Sequence, residues 1–146
     1  MKKVMILGAG VYQVPLIKKA KEMGVFTIVA SIPGKYPGFG YADKIEYVDT
    51  TDYMKILQIA KKEKINGIGT TGTDVAIFSI GKVCSELGLN GLSESAAKIA
   101  CNKKLMKQKF AENGVNTAVF HTVSTGINYY DAKDICEKIG YPVIFK

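Results

Sequence analysis

The sequence predicts an α/β protein: a parallel sheet with helices on both faces, followed by the opening of a second domain. Three observations lead there. Val4–Gly8 is a short apolar run without polar alternation that ends in glycine, the pattern of a parallel strand covered on both sides. Strand-like and helix-like stretches then alternate as far as Gly91, which implies parallel crossovers. Two strand–turn–helix junctions, Gly8–Gln13 and Thr70–Ala76, fall at the carboxyl ends of strands, where open parallel sheets bind ligands.

Taken in order, the first strand is expected over Lys3–Leu7 and a helix over Val14–Met23, with Val14, Ile17, Ala20 and Met23 inward and Gly24 as its stop. Phe26–Ala30 is the second strand. The stretch IPGKYPGFGYAD holds two prolines and three glycines and reads as a loop, with Tyr36, Phe39 and Tyr41 covering the sheet edge. Ile45–Val48 is a third strand. Thr51 or Asp52 caps a helix through Glu63, with Met54, Leu57, Ile59 and Ala60 inward. Ile65–Thr70 is a fourth strand. Thr73 as cap and Asp74 in the first turn open a helix to Leu87, with Ile77, Ile80, Cys84 and Leu87 inward and Gly88 as its end. Leu89–Leu92 is a connector or a short strand.

After Leu92 the pattern changes. Ser93 caps a short helix, Asn102 caps another that ends at Gly114, and Thr117–Val123 is expected as a strand. Tyr129–Ile139 is a helix whose two tyrosines read as packing residues, and Pro142–Phe145 opens a further strand. A domain that stops at Lys146, inside that strand, suggests a fragment whose last strand frays or pairs with another chain. The division is therefore residues 1–91 for the sheet domain and 92–146 for the incomplete second one.

Composition narrows the function classes. The 146 residues are 47% hydrophobic and 23% charged, with a net charge of +7, ordinary for a globular protein. Every basic residue is lysine, and the absence of arginine argues against sequence-specific nucleic-acid readout. The positive charge suits small anions. No apolar run reaches the ~18 residues of a spanning helix, and the glycines of MKKVMILGAG interrupt what would otherwise resemble a signal peptide. Cys84, Cys101 and Cys136 match no metal or CxxC spacing; Cys84 and Cys136 fall on apolar helix faces and read as buried free thiols of a reducing cytoplasm. His121, the single histidine, reads as structural or surface. The carboxylates Asp43, Asp49, Asp52 and Asp74 are spaced as caps and turn residues, so no metal site is expected.

The GAGVYQ turn matches two glycines of the Rossmann dinucleotide fingerprint, but Gln13 takes the place of the third, and IVASIP ends the second strand without an acidic residue for a ribose. Both departures argue against NAD. Two readings stay open: Gly8, Gly10 and Gln13 with Thr71, Gly72, Thr73 and Asp74 hold a small anionic substrate, or both segments are simply tight turns.

Read in order, GAGVYQVPLIKKAKEMGV, PGFGYADK, VDTTD, INGIGTTGTDVA, ELGLNGLS, NKKLMKQKFAENGVNTAVF and GYPVIFK resemble the N-terminal part of the ATP-grasp superfamily. The carbamoyl-phosphate-synthase-large-chain-like branch is the most similar, and the opening also resembles the ATPase subunit of phosphoribosylaminoimidazole carboxylase. The resemblance implies a Rossmann-like pre-ATP-grasp domain that helps bind a carboxylate substrate, then the start of a clamp for ATP and Mg²⁺. It implies ATP-dependent ligase activity through an acyl phosphate in the parent protein. Lys103 and Lys146 match nucleotide-contacting lysines, with Asn102 where many relatives have Asp. The glycine-rich lid and metal carboxylates of the family have no counterpart here, so the chain alone is expected to lack ligase activity. A homo-oligomer and a glutaminase partner stay open. The alternative is a Rossmann-like module that binds a nucleotide or effector without chemistry.

Overall fold

A computed structural model describes residues 1–145. Four parallel strands form one sheet in the order β3-β2-β1-β4: β1 Lys3–Leu7, β2 Phe26–Ser31, β3 Lys44–Tyr47 and β4 Gly67–Gly69. Pairing sets Met5 opposite Ile28 and Ile68, so β1 has a neighbour on each side. The fold is α/β, as expected.

Alternate residues of the strands feed two cores. On one face Met5, Leu7, Ile28 and Ala30 meet Ile56, Leu57 and Ala60 of α2 (Tyr53–Glu63) and Ile80, Val83 and Cys84 of α3 (Ile77–Leu87). On the other, Ile6, Ala9 and Val29 meet Ile17 of α1 (Val14–Glu22), with Tyr36 and Phe39 packed against them. Both faces of β1 are therefore dry, which is why its sequence shows no polar alternation. The proline–glycine loop contains a 3-10 turn, Pro37–Tyr41, and its Tyr36 and Phe39 rings meet edge-on at 5.9 Å.

Several expectations need correction. Met23 and Met54 are exposed, because Met23 lies past the last turn of α1 and Met54 sits in the outer first turn of α2, while Ile56 takes the inward place. β4 is only three residues long. The helix expected to open at Thr73 begins at Ile77. Its cap residue Ala76 offers no side-chain bond, and Ile77 N–H donates to Asp74 O at 3.1 Å, so Asp74 stands in the turn before the helix. Leu89–Leu92 is a connector.

A compact unit closes at Cys101 and a second begins at Asn102. The first of these units runs through residue 101. It takes in α4 (Glu94–Cys101), whose Ala97 is buried and whose start is capped by Ser93 Oγ, accepting from Ala96 N–H at 3.2 Å. In the second unit, Asn102 caps α5 (Lys103–Glu112) and Asn128 caps α6 (Tyr129–Ile139), each amide oxygen accepting a backbone N–H three residues on. Residues 117–123 form no strand. A strand needs a partner, and among the described residues none pairs with them; Thr117 Oγ1 and Ala118 O instead accept from Lys107 Nζ. Residues 142–145 form no strand either. Tyr129 and Tyr130 are exposed, and their rings meet edge-on at 5.5 Å. Cys84 and Cys136 are buried and Cys101 is exposed, all three free; burial pushes the Cys84 thiol up.

Two predictions follow from the packing. A Cβ on Gly81 would overlap Ala97 Cβ and stand 3.0 Å from Ser93 O, whereas one on Gly40 would meet nothing within 4 Å. Gly81→Ala should cost about 1–3 kcal/mol by forcing α4 off α3 and Gly40→Ala much less, read from denaturant midpoints. The second concerns Asp43. The Lys21 ammonium beside it at 2.7 Å and the Thr27 N–H hold its carboxyl down to about 2, from an ordinary 3.8. A depressed native value adds stability that is present above the unfolded value and lost as pH falls from about 4 through 2. Asp43→Asn should remove about 1–2 kcal/mol at pH 7, allowing for its partial exposure, and flatten stability across that acid window in a pH series of melts.

Candidate functional site

The glycine loops leave the carboxyl ends of β1 and β4, the two strands on either side of the point where the strand order reverses. Their backbones are tied together. Gln13 is buried, and its Nε2 donates to Thr71 O. Thr71 Oγ1 returns a bond to Tyr12 O at 2.7 Å, and Thr70 Oγ1 donates to Leu7 O at 2.6 Å. Gly8 has φ +92 and Gly72 φ +66. A Cβ on Gly8 would come within 3.0 Å of Gln13 Cδ, and one on Gly72 within 2.6 Å of Tyr12 Cβ. Glycine is required here by backbone conformation and by close packing together.

Beside this junction lies a cleft of about 440 Å³. Gly8, Gly10, Gln13, Gly72 and Thr73 line it; Thr71 ties the loops behind them; Asp74 is not among the lining residues. The structure adds groups that sequence reasoning missed, above all Tyr12, Ser31, Ile32, Asp49 and Val75. Ser31 and Ile32 could have been found as the residues that end β2 on the same side of the sheet. Asp49 follows β3 in the same way.

Asp49 Oδ1 accepts from both Thr51 N–H and Thr51 Oγ1 at 2.8 Å, and these donors hold its carboxyl below the usual range. It is ionised at neutral pH. Among the described residues no lysine lines the cleft. At the start of α1, Gln13 N–H is taken by Gly10 O at 3.1 Å, and Pro15 has no N–H. Neither of these two positions therefore offers an amide to an anion. Among the described residues no group of three His, Cys, Asp or Glu could hold a metal. Lys103 is the first residue of α5, in the second unit; Lys146 lies outside the described residues. His121 is exposed. No helix among the described residues is long and apolar enough to cross a membrane.

No protein-family model matches the chain. Formate-dependent phosphoribosylglycinamide formyltransferases of Sulfurisphaera tokodaii and Bacillus velezensis are 28% and 25% identical to it over 147 aligned positions, 99% of the chain. The structure of phosphoribosylglycinamide synthetase from Anaerococcus prevotii superposes on 97% of the chain with TM-score 0.78 and 34% identity. The chain matches the N-terminal part of ATP-grasp ligases. It spans 36% and 37% of the two curated relatives and 35% of the synthetase. A biotin carboxylase domain from Hydrogenobacter thermophilus, crystallised with MgADP and bicarbonate, shares the fold at TM-score 0.71 and 22% identity, covering 97% of this chain and 33% of that one. Relatives of this ATP-grasp segment thus include ligases and transferases, and one of the fold's structures holds a magnesium nucleotide.

Within this ATP-grasp segment the Gln13–Thr71 tie is open to a direct test. Gln13→Ala removes the donor to a carbonyl that is held in a tight turn. A loss of about 1–3 kcal/mol is expected, together with faster amide exchange across residues 70–73 than across β1, read by hydrogen–deuterium exchange.

Proposed function

We propose that the chain is the substrate-side N-terminal part of an ATP-dependent ligase that joins a carboxylate to an amine through an acyl phosphate, chemistry of the carbamoyl-phosphate-synthase-like kind. The whole-length likeness to ATP-grasp proteins is the observation that supports this reading most. In the reaction a carboxylate oxygen attacks the γ-phosphorus of ATP and ADP leaves. The amine nitrogen then attacks the acyl carbon, the C–O bond to phosphate breaks, and the nitrogen gives up a proton. Such transfer depends on positioning and on cations around the phosphates.

The proposed roles are as follows. Lys103 and Lys146 contact ATP, whose Mg²⁺ would be held by carboxylates that the described residues do not supply. Gly8, Gly10, Gln13, Thr71, Gly72, Thr73 and Asp74 build the substrate side, with the lining residues forming the seat itself and Thr71 and Asp74 shaping the loop behind it. The cleft holds one of the two joined molecules. A phosphorylated amine, of the phosphoribosylglycinamide kind named in the relatives, and an amine without phosphate are the two substrate classes to separate.

The 146-residue chain alone should release phosphate from MgATP at background rate with formate, bicarbonate or glycine present. In a longer protein carrying this chain with a lid and metal carboxylates, release should depend on the acid, and hydroxylamine should trap the acyl group as a hydroxamate. Phosphate release by the chain alone well above background, or acid-dependent release with no hydroxamate, overturns the proposal.

A further inference from the structure

We infer that the cleft between the two loops seats the amine partner of the reaction, an unphosphorylated small ammonium compound with an apolar or aromatic body, recognised by Asp49 with Tyr12 and Tyr36. The inference rests on the ligase reading above and specifies which substrate the cleft takes.

Charge decides the sign. The chain holds 20 lysines and a net charge of +7, yet among the described residues no lysine lines the cleft, and the one charged lining group is the Asp49 carboxylate. A phosphate monoester needs cations or several free N–H groups. At the start of α1, Gln13 N–H is bonded to Gly10 O and Pro15 has none, so neither of these two positions offers one. Among the described residues, a phosphate placed here would face Asp49 without a compensating cation.

An ammonium meets the opposite situation. Asp49 is fixed through Oδ1 by two donors from Thr51, so little side-chain freedom is lost when a cation docks. Tyr12 and Tyr36 line the same cleft, and aromatic rings stabilise ammonium groups. Tyr12, Ile32 and Val75 are exposed at 69%, 47% and 63%, an apolar rim that an organic body would cover. A carboxylate, two tyrosines and an aliphatic rim without a cation form the chemistry of amine recognition.

The test titrates the ¹⁵N-labelled chain with L-leucinamide, phenethylamine and ribose 5-phosphate, following amide signals at residues 8–13, 49–51 and 72–75. Both amines should move these signals saturably and ribose 5-phosphate should not. Asp49→Asn keeps an oxygen acceptor for Thr51 and removes the charge; it should weaken the amines about fivefold or more. Tighter binding of ribose 5-phosphate than of the amines, no shift with any of the three, or unchanged amine affinity in Asp49→Asn overturns the inference. Binding of ribose 5-phosphate would leave the ligase reading in place with a different substrate, whereas phosphate release by the chain alone would undo that reading without bearing on the cleft.

Discussion

Everything in the first unit hangs on β1 being buried on both faces and paired on both edges. Met5, Ile6 and Leu7 are fully buried, and their backbones bond to β2 on one side and β4 on the other. A strand so enclosed has only its ends free. Its carboxyl end must leave the sheet through Gly8–Gln13, and β4, lying beside it, must leave through Thr70–Val75. The chain direction of one strand therefore places both loops together. The reversal of strand order at β1 opens the space between them.

What holds that space open is a short set of polar ties. Gln13 sits where a dinucleotide fingerprint has its third glycine, and its side chain folds back over Gly8 and Gly10 to reach Thr71 O. The same side chain that departs from the fingerprint thus closes one loop onto the other. Thr70 and Thr71 bind Leu7 O and Tyr12 O in return. Ser79 Oγ donates to Thr50 O at 2.7 Å, fixing the loop after β3 to α3. Each of these hydroxyls satisfies a backbone carbonyl at the end of a strand or in the loop beyond it, and buried carbonyls without a partner are costly.

The fold was legible because period and punctuation agree. Val4–Leu7 and Phe26–Ala30 carry no alternation, and Gly24 and Gly88 mark helix ends that the structure places within a residue or two. Residues 117–123 misled because β-branched composition states only that a segment fits a sheet; it cannot supply the neighbour. Thr73 misled because Thr followed by Asp reads as a cap, while a turn through Asp74, Val75 and Ala76 intervenes before the helix. The glycine loops of the cleft were visible, since φ > 0 leaves a residue-type signature. Asp49, Ser31 and Ile32 were not, because they reach the cleft through strand order, and the order β3-β2-β1-β4 is a non-local property that no local pattern encodes.

Net charge was the least local guide of all, and parallel topology explains why. All four strands begin at one edge of the sheet and end at the other. At the beginning edge, Glu63 bridges Lys3 and Lys44 at 3.2 and 2.6 Å, and Asp43 pairs with Lys21. Glu63 is held ionised chiefly by Lys44 and then by Lys3. Lys3, Lys21 and Lys44 at that edge are each matched by a carboxylate. At the finishing edge stand glycines, threonines, two tyrosines and Asp49. An excess of lysine over the whole chain therefore says little about the potential inside one cleft, because Coulomb effects in salt water decay over about 8–10 Å and the groups within that reach are chosen by strand direction.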